Sequence, residues 1–179
     1  MDHEQILMIY ILGVNDHHYQ AINPRNNPYE DEFHDFVLKQ VRTKNIDHLA
    51  EEMSDECLQT ENGAQESVCR KMANDLGKTH TMCEPNTLEK QQIGYVDKSW
   101  VEFVSEDETG CNENINAAFT EFHKKQWHIR ENFWLEKLPP HFSDNVLFVC
   151  GANHANRFSN LLKSKGIETQ VICKGWTPS

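Results

Sequence analysis

Long apolar runs are missing from this chain: nothing in its 179 residues approaches the ~18 that a membrane span needs. Basic residues are scarce as well, with Lys+Arg 17 against Asp+Glu 28 and a net charge of −11. A surface that acidic repels phosphate backbones, which argues against a nucleic-acid partner. The opening apolar segment Ile6–Val14 follows Asp2 and Glu4 with no basic stretch before it. It reads as a buried strand and not as a signal peptide. The six cysteines show no CxxC and no regular spacing, so a reduced, cytoplasmic chain is expected. The motifs GxGxxG, P-loop, GxSxG and HExxH are absent too, as are repeats, heptads and low-complexity tracts. Membrane, secretion and phosphate-cradle chemistry all lose ground.

What is present is a clustered apolar minority, 38% of residues. Ile6–Leu12, Val146–Cys150 and Thr169–Cys173 are apolar or nearly so without alternation, the pattern of strands buried on both faces of a parallel sheet. Ile46–Ala50 and Thr79–Cys83 are shorter strand candidates. Between them, helical spacing appears at Phe33, Phe36, Val37 and Val41, then at Val68, Met72 and Leu76 with Gly77 as a stop. A longest helix is expected from Glu113 to Leu138, with Ile115, Phe119, Phe122, Ile129 and Phe133 as its apolar stripe and Pro139-Pro140 beyond its end. A further helix carries Phe158, Leu161 and Leu162. The alternation of strands and helices predicts a single α/β domain over 1–179, with a mostly parallel central sheet and helices on both faces. The polar excursion 86–112 is expected to be a lid or an interface segment, and Trp100, Val101 and Phe103 within it suggest a homodimer.

In open parallel sheets, ligands bind outside the carboxyl ends of the strands. That rule selects Asp16, His17 and His18 after the first strand, Glu51 and Glu52 after the second, Glu84 after the third, and His154 after Gly151-Ala152-Asn153. Carboxylates with imidazoles suit a divalent transition metal, and equally general acid–base work. Each residue also has a plain reading: a solvated loop for His17-His18, an acidic first helical turn for Glu51-Glu52, a turn residue for Glu84, a cap for His154. Adjacent strand residues point to opposite faces, so only one of Glu51 and Glu52 can enter the site. In the first turn of a helix, the positive dipole end favours a neutral His154, as ligation or base catalysis requires. Arg157 lies on the same helical face and is expected to hold substrate. Cys150 precedes Gly151 within a strand, where an inert buried thiol is expected.

The residues resemble the TraB/PrgY–Tiki–ChaN–erythromycin-esterase group of α/β proteins. The resemblance rests on Ile11-Leu12-Gly13 with His17, on Leu49-Ala50-Glu51-Glu52, on Ile129-Arg130-Glu131-Asn132-Phe133-Trp134, and on Val149-Cys150-Gly151-Ala152-Asn153-His154. One departure concerns the first motif, where the group usually has His three residues after Gly. Asp16 stands there and His17 follows, so either Asp16 replaces the histidine or the turn holds one more residue. The resemblance implies metal-dependent hydrolysis, here expected on a small-molecule or peptide-like substrate, and the ligand types make zinc or manganese the expected cofactor. On that reading His17, Glu51 and His154 hold the metal, Glu51, Arg130 and His154 are catalytic, and Asp16, His18, Glu52, Glu84 and Arg157 contact substrate. Glu51 is preferred over Glu52 because the group's glutamate directly follows the strand. A non-enzymatic ligand-binding or sensor protein is the alternative, as is a stress or defence effector that needs a partner.

Overall fold

The computed structural model describes residues 7–22, 27–60, 63–96, 113–138, 141 and 143–179. In chain order these form β1 (Ile9–Val14), a 3-10 turn (His17–Gln20), β2 (Ala21–Ile22), α1 (Glu30–Thr43), β3 (His48–Glu51), α2 (Asp55–Thr60) and β4 (Glu66–Ser67). Then come α3 (Val68–Leu76), β5 (Thr79–Met82), α4 (Thr87–Ile93), α5 (Glu113–Lys137), β6 (Val146–Gly151), α6 (Ala152–Ser164) and β7 (Thr169–Trp176). The side chains of α5 are described from Thr120 onward. Five strands make one sheet in the order β5-β3-β6-β1-β7, and every neighbouring pair is parallel. The expected α/β class is what the described residues build. None of their helices is long and apolar enough to cross a membrane.

Strand alternation sorts the core into two layers. Leu12, Val14, Leu49, Leu147 and Val149 meet Phe33, Val37 and Val41 of α1 and Cys69, Met72 and Ala73 of α3. Ile9, Ile11, Ala50, Val146, Phe148 and Cys150 meet Trp134 of α5 and Ala155, Phe158 and Leu162 of α6. Both faces of β1 and β6 are therefore dry, which is why their sequences do not alternate. At the end of α3, Gly77 takes φ +63° and closes the helix on the carbonyls of Ala73 and Asn74.

Three expectations are corrected. β3 runs one residue beyond Ala50, to Glu51, and this shift decides which glutamate enters the site. β7 has a sheet neighbour on one side among the described residues, so Val171, Ile172 and Cys173 are half-buried instead of buried on both faces. On α5 the buried positions are Gln126, Glu131 and Trp134, with Leu138 just past its end, whereas Ile129 and Phe133 are half-buried. Part of the 86–112 excursion is the capped helix α4, in which Asn86 accepts from the Glu89 N–H and Glu89 answers on the Asn86 N–H. Trp100, Val101 and Phe103, and the dimer read from them, lie outside the described residues.

Candidate functional site

β3 delivers two consecutive carboxylates to opposite sides of the sheet. Glu51 turns toward α3, where it is fully buried. Its Oε1 accepts from the Ser67 hydroxyl and lies 2.8 Å from Nε2 of His80, while its Oε2 has no partner. Ser67 Oγ in turn accepts from the Arg70 N–H and caps α3. Glu51 thus ties β3, β5 and the start of α3 together behind the sheet. It was expected in the site, and alternation from the longer β3 puts it on the other face.

Glu52 takes the place expected of Glu51. The Gly151 N–H donates to its Oε2 at 2.7 Å, and an Arg130 Nη2–H donates to its Oε1. Nε2 of His17 lies 3.7 Å and Nε2 of His154 4.0 Å from that same Oε1. Gly151 makes this approach feasible: a Cβ there would stand 3.0 Å from His17 Nε2 and 3.5 Å from Glu52 Oε2. Arg130 bridges onward to Glu84, donating to its Oε2 from Nε at 3.2 Å and from Nη2 at 2.8 Å. The Trp134 indole N–H reaches that oxygen at 3.3 Å.

The two carboxylates on Arg130 are pushed apart. Burial works to raise Glu52, but the Arg130 guanidinium, then His17, His154 and the Gly151 N–H, hold its carboxyl down at about 2. Burial raises Glu84, and the charge of Glu52 adds to that, with Arg130 only partly offsetting it. Glu52 receives the backbone N–H as well as the guanidinium, so the fixed negative charge belongs to Glu52. Glu84 is the readier of the two to carry a proton. Divergence of this kind between neighbouring carboxyls is how acid and base roles are separated.

The imidazoles differ as well. Glu131 Oε1 lies 2.8 Å from His154 Nδ1. A carboxylate can only accept, so Nδ1 carries the proton and Nε2 presents a lone pair toward Glu52. Nδ1 of His17 lies 2.7 Å from the amide nitrogen of Gln20. With that amide donating, His17 carries its proton on Nε2. These tautomers are assigned from the partners. One imidazole is then an acceptor and the other a donor, both beside the same carboxylate oxygen. The His154 side chain is 7% exposed and that of His17 42%, so the cleft opens past His17.

Asp16 and His18 do not join this group. The Asp16 carboxylate accepts from the His18 N–H at 2.8 Å and caps the 3-10 turn, and the turn's next residue, His17, enters the cleft. His18 is half-buried beyond it, and its carbonyl accepts from the Asn27 amide at 3.2 Å. Arg157 is spent within the fold: its Nε–H donates to Glu131 Oε1 at 3.1 Å. Cys69 and Cys150 are buried thiols that burial pushes well up, and burial acts likewise on Cys83. None of the three is set up as a nucleophile.

Gln20 was missed from the sequence, and Glu131 stood in the resemblance beside Arg130 without a role of its own. Glu131 carried a signal, since Trp127, Glu131, Trp134 and Leu138 recur at spacings of four, three and four. A carboxylate inside such a stripe requires a partner. Gln20 had none, because a 3-10 turn of His17–Gln20 leaves no periodic mark.

The predicted metal ligands come together only in part. Oriented imidazoles around a carboxylate are the donor chemistry of a divalent transition ion. Against that, both Glu52 oxygens are engaged, one by a guanidinium, and His17 presents a proton to them instead of a lone pair. Among the described residues no group of three or more His, Cys, Asp or Glu is arranged to hold a metal ion. The set as folded fits acid–base chemistry better than ligation. Comparison with family models, with curated proteins and with solved structures gives no match to this chain.

Proposed function

We propose that the cleft hydrolyses an ester or amide of a small or peptide-like substrate. The observation carrying this reading is the pair of imidazoles in opposite tautomers on either side of Glu52 Oε1. Nε2 of His154 takes a proton from water as the water oxygen bonds to the acyl carbon. That proton then passes from His154 Nε2 to the departing oxygen or nitrogen as its bond to the carbon breaks, while the Nε2–H of His17 donates a hydrogen bond to the developing oxyanion. Glu52 stays ionised throughout and stabilises the imidazolium that forms on His154. Arg130 keeps Glu52 charged and in place. Beside Glu84 lies a cavity of about 340 Å³ that is also lined by Asp55, Glu56, Glu89 and Lys137. It is offset from the imidazoles, so we place there the remainder of the substrate and not the scissile bond. Its carboxylates favour a neutral or amine-bearing substrate over a polyanion.

Zinc or manganese at His17, Glu52 and His154 is the rival form of the same proposal. It requires Arg130 to release Glu52 and His17 to lose its Nε2 proton. One experiment addresses both forms: turnover of p-nitrophenyl acetate and a small panel of esters and amides, before and after chelation, by the wild type and by His154→Ala. The acid–base form expects turnover to survive chelation and to fall by about 10²-fold or more in His154→Ala. Turnover lost on chelation and restored by zinc or manganese selects the metal form. No difference between wild type and His154→Ala on any substrate sinks the hydrolase and favours a ligand-binding protein.

A further inference from the structure

We propose that Glu131, clamped by Arg157, is a positioning residue that fixes the tautomer and orientation of His154. This rests on the reading of His154 as the water-activating base. Glu131 is 2% exposed, and a carboxylate that far from solvent needs charge or hydrogen bonds to compensate its burial. Both kinds of help converge on Oε1. His154 Nδ1 lies 2.8 Å away, and the Arg157 Nε–H donates at 3.1 Å.

Arg157 is held from both sides of the junction between the two helices. It projects from α6, donates from Nη2 to the Lys124 carbonyl of α5 at 3.4 Å, and stacks 4.8 Å from the Trp127 ring. Trp127 and Trp134 then meet the imidazole edgewise, at 6.0 Å with 78° between planes and at 5.0 Å with 69°. A half-turn of the His154 ring would put Cδ2 where Nδ1 stands and break the bond to Glu131, and the two indoles hold the plane of the ring. The ring therefore has one favoured setting, with Nε2 in the cleft. A base needs its lone pair there at every turnover, and a carboxylate behind the imidazole also stabilises the cation that forms.

The test begins with the protein alone, by ¹⁵N-imidazole NMR with His154 assigned by difference against His154→Gln. Wild type should show the proton on Nδ1. Glu131→Ala should move it largely to Nε2 and lower kcat by on the order of 10²-fold, with KM changed by less than about threefold. Arg157→Lys keeps the positive charge and should keep the wild-type tautomer. If Glu131→Ala does not fold, Glu131→Gln serves in its place. Its amide oxygen still accepts both N–H groups, so the tautomer should stay while kcat falls at least about tenfold for want of the charge. A wild-type proton on Nε2 overturns the inference. So does Glu131→Ala with an unmoved tautomer and full kcat, or Glu131→Gln at wild-type kcat. A tautomer that follows Glu131 in a protein that turns over no ester or amide upholds the positioning and ends the hydrolase reading. Turnover by a protein whose tautomer ignores Glu131 does the reverse.

Discussion

Glu51 and Glu52 follow one another in the chain, yet Glu51 is sealed beneath α3 with Ser67 and His80, while Glu52 stands beneath α5 with Arg130, His17 and His154. Both are buried carboxylates with an imidazole nearby. They differ in what the partners can still do. On the Glu51 side, the hydroxyl and the imidazole both spend themselves on one oxygen, and the hydroxyl caps a helix as well. On the Glu52 side, the imidazoles stand 3.7 and 4.0 Å away, beyond a direct hydrogen bond, and the His17 side chain is 42% exposed. Burial of a charge is common to both, and the unspent nitrogen is what separates a site from a strut.

The largest expected effects cross over between the two residues. Glu52→Gln removes the fixed charge opposite the His154 imidazolium and should cut turnover by about 10²-fold or more. Glu51→Ala removes the acceptor of the buried Ser67 hydroxyl and the His80 partner, and should lower stability by about 1–3 kcal/mol. A urea midpoint and an initial rate for each variant decide the matter. A stable but inactive Glu51 variant beside an active Glu52→Gln would reverse the assignment.

Much of this was legible in the sequence, and the illegible part has a definite cause. The continuous apolar runs at β1 and β6 announce a sheet covered on both faces, and the strand-end rule alone selects His17, Glu52, Glu84 and His154. Choosing between Glu51 and Glu52 needs the strand end to within one residue, and β3 ends at Glu51 where Ala50 was expected. With period-two alternation, that one residue exchanges site for core. The pairing of Arg157 with Glu131 was illegible for a different reason. Helix geometry gives the face a side chain occupies, but its partner Glu131 belongs to another helix, and pairings across helices leave no mark in local spacing.

The amino end of β3 offers a second contrast, this time in pH. His48 is fully buried, with Nδ1 2.7 Å from Thr79 Oγ1 and its ring stacked 3.5 Å from that of His141, whose own Nδ1 lies 3.2 Å from Asp144. Burial, then the neighbouring His141 and His80, lowers its imidazole from 6.5 to about 3. The folded value lies below the unfolded one, so the native state resists protonation. Stability from this group is complete above about pH 6.5 and is lost as pH falls toward 3, by up to about 1.4 kcal/mol per pH unit. Glu52 is also depressed, and its contribution is lost lower down, between its ordinary 4.5 and about 2. His48→Asn retains a partner for Thr79 and should flatten the pH 6.5–4.5 limb of a urea-midpoint profile, leaving the pH dependence of turnover unchanged. Turnover that followed His48 would join the two ends of β3 into one functional unit and undo the contrast.

The smallest effect is expected at another pair of neighbours, Asp16 and His17, where the turn after β1 repeats the division seen at Glu51 and Glu52. The Asp16 side chain is occupied by the His18 N–H at 2.8 Å, and its carbonyl accepts from the Tyr19 N–H at 3.2 Å. It starts the 3-10 turn whose first residue, His17, reaches Glu52. The Asp16 carboxylate is therefore taken up by the cap, and the imidazole beside Glu52 is that of His17. Asp16→Ala should cost about 1 kcal/mol or less, the usual value of a capping side chain. Asp16→Asn, which can still accept from the same N–H, should recover most of that. Turnover in both variants should stay within about fivefold of wild type, because His17 is also anchored through Gln20 and a weakened cap shifts its population by only about that factor. His17→Ala should lose about 10²-fold. If Asp16→Ala instead fell as far as His17→Ala while Asp16→Asn failed to rescue it, the carboxylate itself would be at work in the cleft. The division between strut and site would then not hold at β1.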